Sequence, residues 1–537
     1  MSTMTGAEAL TRQLRSEGVD TVFALPGVQI MNAFDAFHAH RDGIALIHTR
    51  HEQATTYMAD GYAKVTGKVG VAMVVPGPGA LNAAAGLGTA YASSSPVLLI
   101  SGQIPSSSLG KRRGELHEVE EQLDVFKPIT KWNHRVTRVA EIPEAVHEAF
   151  RQLKAGRPRP VELEIPPDTL AESADAEIIA AEPTPAMAAD PSAIEKAAQI
   201  LAAAERPAII AGGGTVSAGA SGELVALAEL LQAPVITNQQ SKGVIADAHP
   251  LHLGVNYILS PVEACLRDTD VLLCVGTRLH IRDADTSTMP RIIHIDIDGE
   301  EIGKNFDTEL GIVADAREAL QSLLQRLATL AARESRAEEI ADRRAAYRDS
   351  IRALAPDQCA IIDVLRSELD EDAIIVSGVT NIGYWSTIVM PVDRPRSFIT
   401  SSYFGTLGYA FPTALGAKIA NPGRQVVALC GDGGFLYSAQ EFSTAVRYGI
   451  NVVTIVFNNS AYGASRWDQI HRFDEHFIGT DLHNPDFMKL ADAYGVVGLR
   501  SRAQELGASL REALSLDAPV LLEVEVPIMM PPFQVIR

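Results

Sequence analysis

The sequence predicts an α/β protein of three doubly wound domains, each built on a parallel sheet. The length of 537 residues suits about three domains of 100–200 residues. Helix and strand patterns alternate through the first and last thirds of the chain, which is typical of parallel sheets with helices on both faces. The stretch Gln425–Gly463 has the form of a β-α-β unit, because an apolar strand pattern, a helical pattern and a second apolar strand pattern follow one another.

The three domains are predicted at residues 1–170, 190–335 and 355–537. The segment 168–192 is rich in alanine, proline and acidic residues, and we interpret it as an extended linker. The charged pattern of residues 318–352 is interpreted as one long, solvated helix that leads into the last domain. Both boundaries therefore fall where the alternation of helices and strands is interrupted.

The composition argues against several classes of partner. A net charge of −20 argues against binding to nucleic acid or to an anionic membrane surface. The four cysteines are scattered without metal-binding spacing, which suits a reducing compartment. The sequence contains neither an apolar signal core at its start nor a run of about 18 apolar residues. We therefore expect a cytoplasmic protein that acts on a small molecule.

The first domain alternates short apolar strands with helices. Its strands are predicted at Thr21–Ala24, Ile44–His48, Gly70–Val75, Val97–Ser101 and, closing the domain, 160–167. Glu52 stands where the second strand gives way to a helix, a position at which the helix dipole alone favours an acid. The loop Pro76–Asn82 follows the third strand and opens a helix, as a tight β-α connection would.

The middle domain carries little visible chemistry. Its strands are predicted at Pro207–Ala211, Pro234–Thr237, Val271–Val275 and Ile292–Ile297. The glycines of residues 212–214, together with Ser217, form an incomplete dinucleotide-binding fingerprint, which is a weak signal. We interpret these glycines as a tight strand-to-helix turn.

The last domain contains the strongest chemical signal. Asp432 follows one apolar strand among Gly431, Gly433 and Gly434, and Asn459 follows the next strand. Because the carboxyl ends of parallel strands meet at one edge of a sheet, Asp432 and Asn459 should lie close together. A carboxylate and an amide oxygen suit Mg²⁺ or Ca²⁺, and the glycines leave room for phosphate oxygens. The alternative is an ordinary β-α turn with a helix cap.

The Gly-Asp-Gly and Asn-Asn motifs resemble the metal- and diphosphate-binding motif of thiamine diphosphate enzymes. The resemblance extends over essentially the whole chain, to the group of acetolactate synthases, pyruvate decarboxylases and benzaldehyde lyases. It implies thiamine diphosphate and Mg²⁺ as cofactors, held by a pyrimidine-binding first domain and a diphosphate-binding last domain around a central Rossmann-like domain. It also implies active sites at the interface of a homodimer, usually within a homotetramer. In some similar enzymes the central domain holds FAD or an adenine nucleotide, for which the incomplete fingerprint gives weak support.

The resemblance assigns roles to individual residues. Glu52 matches the activating glutamate of the family, which hydrogen-bonds the aminopyrimidine of the cofactor and favours the tautomer that removes the thiazolium proton. Leu407 matches an apolar wedge that bends the cofactor, whereas without its flanking glycines it would be interpreted as a core leucine. Ala461 matches a metal ligand that acts through its backbone carbonyl, beside Asp432 and Asn459.

The remaining assignments fall into two groups. Those implied at the cofactor are Pro76, Asn82, Gly378, Asn381, Ser402, Tyr403, Gly405, Tyr462 and Gly463. Those implied at the substrate are Gln29, His117, Ala464 and Trp467, with Gln29 and His117 also as catalytic candidates. The alternative for His117 is a solvated loop histidine, and the alternative for Trp467 is a residue of the core or of an interface.

The implied activity is the making or breaking of a carbon–carbon bond next to a carbonyl. The sequence is most similar to acetolactate-synthase-like 2-oxo acid decarboxylases and carboligases, which form 2-hydroxy ketones. A benzaldehyde-lyase-like aldehyde lyase/ligase and a simple 2-oxo acid decarboxylase are alternatives, as is a catalytically silent cofactor-binding paralogue. Two departures from the acetolactate synthase pattern are Pro167, where those enzymes carry lysine, and His117, where they carry glutamine.

Overall fold

Three six-stranded parallel sheets form the framework of the chain. The computed structural model describes residues 2–255, 260–280 and 289–534. Within these residues, each six-stranded sheet has only parallel pairing and is flanked by helices. The predicted α/β class, with three parallel-sheet domains, is therefore confirmed.

The strands keep close to the predicted positions and add shorter ones at the sheet edges. The first domain contains β1 (Ser2–Thr5), β2 (Thr21–Ala24), β3 (Ala45–His48), β4 (Gly70–Val74), β5 (Val97–Gly102), β6 (Trp132–Arg135), β7 (Val161–Ile165) and β8 (Ser173–Ala176). The central domain contains β9 (Pro207–Ala211), β10 (Val235–Thr237), β11 (His252–Val255), β12 (Val271–Val275), β13 (Arg291–Asp296) and β14 (Leu310–Val313). The last domain contains β15 (Ile374–Ser377), β16 (Phe398–Thr400), β17 (Val426–Gly431), β18 (Val453–Asn458), β19 (Val497–Arg502) and β20 (Val520–Glu525).

The helices connect these strands and cover the sheets. In the first domain they are α1 (Gly6–Ser16), α2 (Met31–Ala39), α3 (Glu52–Thr66), α4 (Pro78–Ser93), α5 (Gln122–Phe126), α6 (Ile142–Lys154) and α7 (Pro167–Ala171). In the central domain and the connection after it they are α8 (Pro191–Ala203), α9 (Gly213–Ser217), α10 (Ser221–Leu231), α11 (Ser260–Arg267), α12 (Ala316–Arg326) and α13 (Ala337–Leu354). In the last domain they are α14 (Pro356–Glu368), α15 (Asn381–Val389), α16 (Ala410–Ala420), α17 (Asp432–Phe435), α18 (Phe442–Tyr448), α19 (Gly463–Arg472), α20 (Phe487–Tyr494) and α21 (Leu506–Ser515). None of the helices in the described ranges is long and apolar enough to cross a bilayer.

The strand order explains where ligands can bind. With the strands numbered in chain order within each six-stranded sheet, the first and last sheets share the order 2-1-3-4-6-5, and the central sheet has the order 3-2-1-4-5-6. Ligands of such sheets bind at the carboxyl ends of the strands. The binding point is the topological switch point, at which successive strands begin to be added on the other side of the first strand. In the last domain this point lies between β15 and β17, which are hydrogen-bonded neighbours. Gly378 and Asp432, which follow these two strands, are thereby brought to one edge.

The sheet of the last domain lies between two hydrophobic cores. Because successive side chains of a strand point to opposite faces, β17 contributes to both. Ala428 and Cys430 belong to a core that also contains Phe23 of the first domain. Val427 and Leu429 belong to a core that includes the central domain. The last domain is therefore packed on one face against the first domain and on the other against the central one.

Two predicted connections have more structure than expected. The segment interpreted as an extended linker contains α7 and β8, and β8 pairs antiparallel with β1 before the chain becomes irregular. The single long helix predicted over 318–352 is wrong, since the structure has two helices, α12 and α13. The physical reason is the apolar face of α12, whose Ala319, Leu320 and Leu323 are buried in the central core.

The first and last domains meet where α3 crosses α16, and a glycine on each helix allows the close approach. A Cβ at Gly61 would lie 2.1 Å from the carbonyl oxygen of Thr413, and a Cβ at Gly416 would lie 2.0 Å from the carbonyl oxygen of Met58. Backbone atoms of one helix therefore pack directly on the other. No larger residue fits at either position without separating the helices.

We expect Gly416→Ala to lower the free energy of unfolding by about 1–3 kcal/mol, because the added methyl group overlaps backbone that cannot rotate away. Gly222→Ala is a matched control, since Gly222 begins a helix and has open space around its Cβ position. That change should be neutral or stabilise the protein by up to about 1 kcal/mol. Denaturant unfolding of both variants tests the prediction, and equal stabilities would contradict it.

Candidate active site

Asp432 lies buried at the carboxyl edge of the last sheet. It is 2% exposed and begins α17, directly after β17. Its Oδ2 accepts a hydrogen bond from Asn484 Nδ2 at 2.7 Å, and the same nitrogen donates to Asn458 Oδ1 at 2.9 Å. Burial raises the pKa of the Asp432 carboxyl, and the Asn484 hydrogen bond opposes that shift. The carboxylate is therefore desolvated, which favours a cation beside it.

The oxygen atoms around Asp432 suit a hard divalent cation. Asn459 accepts the backbone N–H of Ala461 at 3.2 Å, so the two residues form one tight turn after β18. The carbonyl of Ala461 accepts no hydrogen bond within the described chain, and Asn484 Oδ1 is buried there without a partner. One carboxylate with amide and carbonyl oxygens is a ligand set that fits Mg²⁺. No group of three or more His, Cys, Asp or Glu residues in metal-binding arrangement occurs in the described ranges, so Asp432 would be the charged ligand of such a site.

A cleft next to Asp432 has the lining expected of a diphosphate site. It lies between the segment after β15, the segment that leads into α16 and the segment after β17. Its lining includes Gly378, Leu407, Gly431, Gly434 and Ser438. A Cβ at Gly378 would lie 2.6 Å from the carbonyl oxygen of Leu429, so only glycine fits there. The Oγ of Ser438 is buried and has no hydrogen-bond partner among the described residues. A donor of this kind is suited to a phosphate oxygen.

Three other predicted cofactor residues of this domain, Ser402, Tyr403 and Asn381, lie outside the described lining of the cleft. Ser402 and Tyr403 do not line the cleft: Ser402 contacts Ala92 of α4, and the Tyr403 ring lies 4.4 Å from the Arg278 guanidinium of the central domain. Asn381 Nδ2 donates to the carbonyl oxygens of Met529 and Met530, at 2.8 and 3.1 Å. The segment that contains Met529 and Met530 is thereby tied to α15; residues 535–537 lie outside the described residues.

The turn after β18 continues into the predicted substrate side. Tyr462 covers Gly433, because a Cβ on that glycine would lie 2.8 Å from the Tyr462 ring. Gly463 begins α19, and a Cβ there would lie 2.7 Å from Asn459 Nδ2. Ala464 and Trp467 follow on the same helix, partly buried. The Trp467 ring contacts His471, with ring centroids 4.1 Å apart. Gly405 precedes Leu407 of the cleft wall by two residues and is in the left-handed region, with φ of 62°.

Glu52 lies at the corresponding edge of the first sheet. It begins α3 and is partly exposed, and its Oε2 accepts a hydrogen bond from Asn82 Nδ2 at 3.0 Å. Gly79, at the start of α4, leaves open the space beside Glu52 Oε1, which lies 3.5 Å from the Cβ position of that glycine. Two helix starts thus bring a carboxylate and an amide together.

The loop that begins at Pro76 is held by a buried hydrogen-bond chain. Gly77 has φ of 59°, and its N–H donates to Gln122 Oε1 at 2.7 Å. Gln122 Nε2 donates in turn to Glu164 Oε1 on β7 at 3.1 Å. The backbone of His117 lies directly over Gly77, so a Cβ there would be 2.5 Å from the His117 carbonyl oxygen. The conformation of this loop is therefore fixed by two contacts at Gly77, the hydrogen bond to the Gln122 side chain and the packing against the His117 backbone.

Gln29 and His117 lie on touching segments next to this loop. Gln29 Nε2 donates to the carbonyl oxygen of Leu116 at 3.1 Å. Gln29 Oε1 and His117 Nδ1 are both buried, and neither has a partner within the described chain. Two unmatched polar atoms in adjacent segments are costly unless a ligand or water satisfies them.

Comparison with known proteins identifies the family. Three thiamine pyrophosphate enzyme domains match the chain: the N-terminal TPP binding domain over residues 4–126, the central domain over 194–323 and the C-terminal TPP binding domain over 378–524. The chain belongs to the thiamine pyrophosphate enzymes. Thiamine pyrophosphate is the cofactor called thiamine diphosphate above, so the predicted resemblance is confirmed.

Curated thiamine pyrophosphate enzymes match over nearly their whole length. A probable acetolactate synthase large subunit of Methanococcus aeolicus is 34% identical and covers 97% of this chain and 92% of its own. The acetolactate synthase isozyme 3 large subunit of Escherichia coli is 33% identical, covering 96% and 93%. A probable 2-ketoarginine decarboxylase of Pseudomonas aeruginosa is 37% identical, covering 97% and 94%. This chain is therefore a thiamine pyrophosphate-dependent, acetolactate-synthase-like enzyme.

The candidate residues of one chain form two separate groups, one around Glu52 and one around Asp432, which are called the half-sites below. Within the described ranges, no hydrogen bond or ion pair joins Glu52 or Asn82 to Asp432, Asn458 or Asn459. Apolar side chains are exposed beside both halves. They are Val28, Met31, Leu81 and Leu116 near Glu52, and Leu436 and Tyr437 near Asp432.

Several site residues were missed at the level of sequence. Asn484 and Ser438 belong to no recognisable sequence motif. Ser438 follows the segment that carries Asp432, and Asn484 follows the segment that carries the turn after β18. Glu441 is 0% exposed, and its carboxylate accepts the backbone N–H groups of Arg50 and His51 at 3.0–3.1 Å. Burial raises the pKa of Glu441 to about 7, against the effect of these hydrogen bonds. A residue of the last domain thus fixes the turn that carries Glu52, which no spacing in the sequence indicates.

Proposed function

We propose that the chain is a thiamine diphosphate- and Mg²⁺-dependent 2-oxo acid decarboxylase and carboligase that forms 2-hydroxy ketones. The observation that carries this proposal is the pair of half-sites: a desolvated carboxylate beside a glycine-lined cleft at Asp432, and a carboxylate oriented by an amide at Glu52. When bound, thiamine diphosphate supplies a carbon nucleophile that adds to the carbonyl group of a substrate. The names of the acetolactate synthase relatives support 2-oxo acids as substrates.

Under this proposal, different residues of the chain hold the metal ion, the cofactor and the substrate. Asp432, Asn459 and the Ala461 carbonyl would hold Mg²⁺, and Ser438 with the glycines of the cleft would bind phosphate oxygens. Leu407 would set the shape of the bound cofactor from its position on the cleft wall. The Glu52 carboxyl would exchange a proton with a ring nitrogen through Oε1, because Oε2 is held by Asn82. Gln29 and His117 would orient the substrate and move a proton at its oxygen.

We further propose that two copies of the chain complete each active site, within a homodimer or homotetramer. The separation of the half-sites in one chain and the exposed apolar side chains beside both support this proposal. A mixed dimer tests it directly. Glu52→Gln and Asp432→Asn each disable one half, and co-expression with two affinity tags isolates dimers that contain one chain of each kind.

If Glu52 of one chain works with Asp432 of the other, the mixed dimer contains one intact site and one doubly altered site. We expect it to recover about half of the wild-type activity per dimer, while both parent dimers stay inactive. If each site were built within one chain, every site of the mixed dimer would carry a defect. An inactive mixed dimer of normal size and stability would therefore contradict the shared site.

A second candidate is a simple decarboxylase of a 2-oxo acid with a cationic side chain. The observations in its favour are the four acids near His117, which are Glu115, Glu118, Glu120 and Glu121, and the 2-ketoarginine decarboxylase relative. Glu120 is paired with Arg112 of the same loop, which leaves three acids for a cationic substrate. A screen of pyruvate, longer 2-oxo acids, 2-ketoarginine, benzaldehyde and formaldehyde separates the candidates. A 2-hydroxy ketone product supports the carboligase, and an aldehyde as the sole product supports the decarboxylase.

Removal of the unpartnered hydroxyl in the cleft should weaken cofactor binding. We expect Ser438→Ala to raise the Kd for thiamine diphosphate by about 5–10-fold, because one hydrogen bond to a charged oxygen is lost. Ser367→Ala, at an exposed serine on α14, is the control. Titration of the metal-loaded protein with cofactor measures the effect, and an unchanged Kd in Ser438→Ala would remove Ser438 from the site.

A further inference from the structure

A second cavity lies where all three domains meet, away from the half-sites. Its volume is about 110 Å³, and its walls come from the ends of α3 and α4, from α9 and the segment after β10, and from β16. Glu52 and Asn82 lie at the opposite ends of α3 and α4. Because α3 has 15 residues, the cavity is about 20 Å from Glu52.

The described walls of this cavity carry cations and no acid. Lys64, Lys242 and Arg396 line it, and no Asp or Glu of the described residues does. Lys64 is satisfied, since its Nζ lies 2.7 Å from Asp60 Oδ2 and donates to Ser93, Thr400 and Tyr409. The other two cations have no carboxylate partner in the described chain. In a protein with a net charge of −20, such a local surplus of positive charge calls for an explanation.

Lys242 is the most informative of these residues. Its side chain is buried, with the residue 6% exposed, and its Nζ makes no hydrogen bond or ion pair within the described ranges. Its Nζ lies 5.5 Å from the centroid of the Phe398 ring. Asp247, the acid whose charge raises the pKa of Lys242 against the effect of burial, is already paired with Arg348. Burial lowers the pKa of Lys242 to about 8, so most of these side chains are still charged at neutral pH.

Arg396 and three serines complete the polar lining. The Arg396 guanidinium donates to the backbone carbonyls of Lys64 and Val216, which leaves its charge unmatched. Ser95 Oγ is buried without a hydrogen-bond partner in the described parts of the chain, and Ser95 is 2% exposed. Ser93 and Ser94 accept hydrogen bonds from Lys64 and Arg157, and neither donates to an acceptor among the described residues. Their hydroxyl hydrogens are therefore free to point into the cavity.

We propose that this cavity binds a tetrahedral oxyanion of the phosphate class. Two unmatched positive charges correspond to a dianion, and three hydroxyl groups with an ammonium group correspond to its oxygen acceptors. The C-terminal ends of α3 and α4 each contribute partial negative charge equivalent to about half an elementary charge, and the two full charges of Lys242 and Arg396 outweigh their sum. A cavity of this size has room for several water-sized atoms, enough for one phosphate group. The anion would link the three domains, since Ser95, Lys242 and Arg396 come from different ones.

The test uses protein saturated with thiamine diphosphate and Mg²⁺, so that the diphosphate cleft is blocked. We expect inorganic phosphate to raise the melting temperature saturably, by about 2–4 °C, while sodium chloride of equal ionic strength does not. Equilibrium dialysis with labelled phosphate should find one site per chain. Adenosine monophosphate serves as a second probe, and tighter binding than that of phosphate would identify the anion as part of a larger metabolite.

Variants distinguish the cavity from other sites. Lys242→Met should abolish phosphate binding, and in phosphate-free buffer it should be at least as stable as the wild type, because an unmatched buried charge is gone. Ser95→Ala should raise the Kd for phosphate by about 5–10-fold and provides a milder variant if Lys242→Met does not fold. Lys304→Gln, at an exposed lysine, should respond like the wild type. Undiminished phosphate binding in Lys242→Met and Ser95→Ala, or an equal effect of sodium chloride, would overturn the proposal.

Discussion

Replacement of Glu52 by glutamine should lower turnover by about 10²–10⁴-fold while leaving the affinity for thiamine diphosphate within a few-fold of the wild type. The amide keeps the size and hydrogen-bonding reach of the side chain, but it cannot give up or accept the proton that a carboxyl group exchanges. Asn82, which holds Glu52 Oε2, can turn to match the new amide, so the start of α3 should stay in place. Steady-state kinetics and cofactor titration measure the two quantities separately.

A control for this variant is Glu144→Gln, at an exposed acid on α6 that lies outside both half-sites. Its turnover should equal that of the wild type. A Glu52→Gln enzyme with unchanged turnover would exclude Glu52 from proton transfer. A variant that loses cofactor affinity by the same factor as turnover would make Glu52 a binding residue instead.

Replacement of Asp432 by asparagine should weaken Mg²⁺-dependent binding of thiamine diphosphate by about 10²–10⁴-fold. The expected loss is that of removing one partner from a buried charge pair, about 3–5 kcal/mol. Activity should fall in parallel and recover only in part at high Mg²⁺ concentration. Cofactor titration at several Mg²⁺ concentrations measures the effect. Asp481→Asn is the control, because Asp481 lies opposite Ala461 yet its side chain is 73% exposed.

The stability of the metal-free protein separates a binding role of Asp432 from a folding role. Burial raises the pKa of Asp432, so the ionised carboxylate at neutral pH is less favourable in the folded than in the unfolded chain. The protonated carboxyl of Asp432 therefore favours the folded state, and this contribution to stability is lost as the pH rises through the pKa of the folded protein. Metal-free Asp432→Asn should be at least as stable as the metal-free wild type at pH 7. A large loss of stability would mean that the carboxylate mainly supports the fold.

The parts of the fold that sequence predicts are those with strong local patterns. β4, β5, β9 and β12 are buried on both faces, so their continuous apolar runs stand out in the sequence. Edge strands such as β6, with the sequence WNHR, carry polar side chains and have no such signal. The break between α12 and α13 also went unpredicted, because a charged helical pattern continues through it.

The candidate site also contains residues that the sequence predicts and residues that it does not. Asp432, Asn459 and Glu52 stand at strand ends, where position alone makes a polar residue notable. Asn484 and Glu441 act on these residues from other parts of the chain, across contacts that tertiary packing creates. No periodicity or spacing encodes such a contact. Gln122 is comparable, since its amide sets the loop at Gly77 from a distance of 45 positions in the sequence.

The position of the last domain between two hydrophobic cores has a consequence for how the chain unfolds. Neither face of its sheet is covered by its own helices alone, since Ala428 and Val427 belong to cores shared with different neighbours. Loss of either neighbour would expose a face of the sheet to water, so opening one domain removes much of the free energy that holds the next. The three domains should therefore melt as one cooperative unit, and a protease that acts on unfolded chains should find no lasting single-domain intermediate.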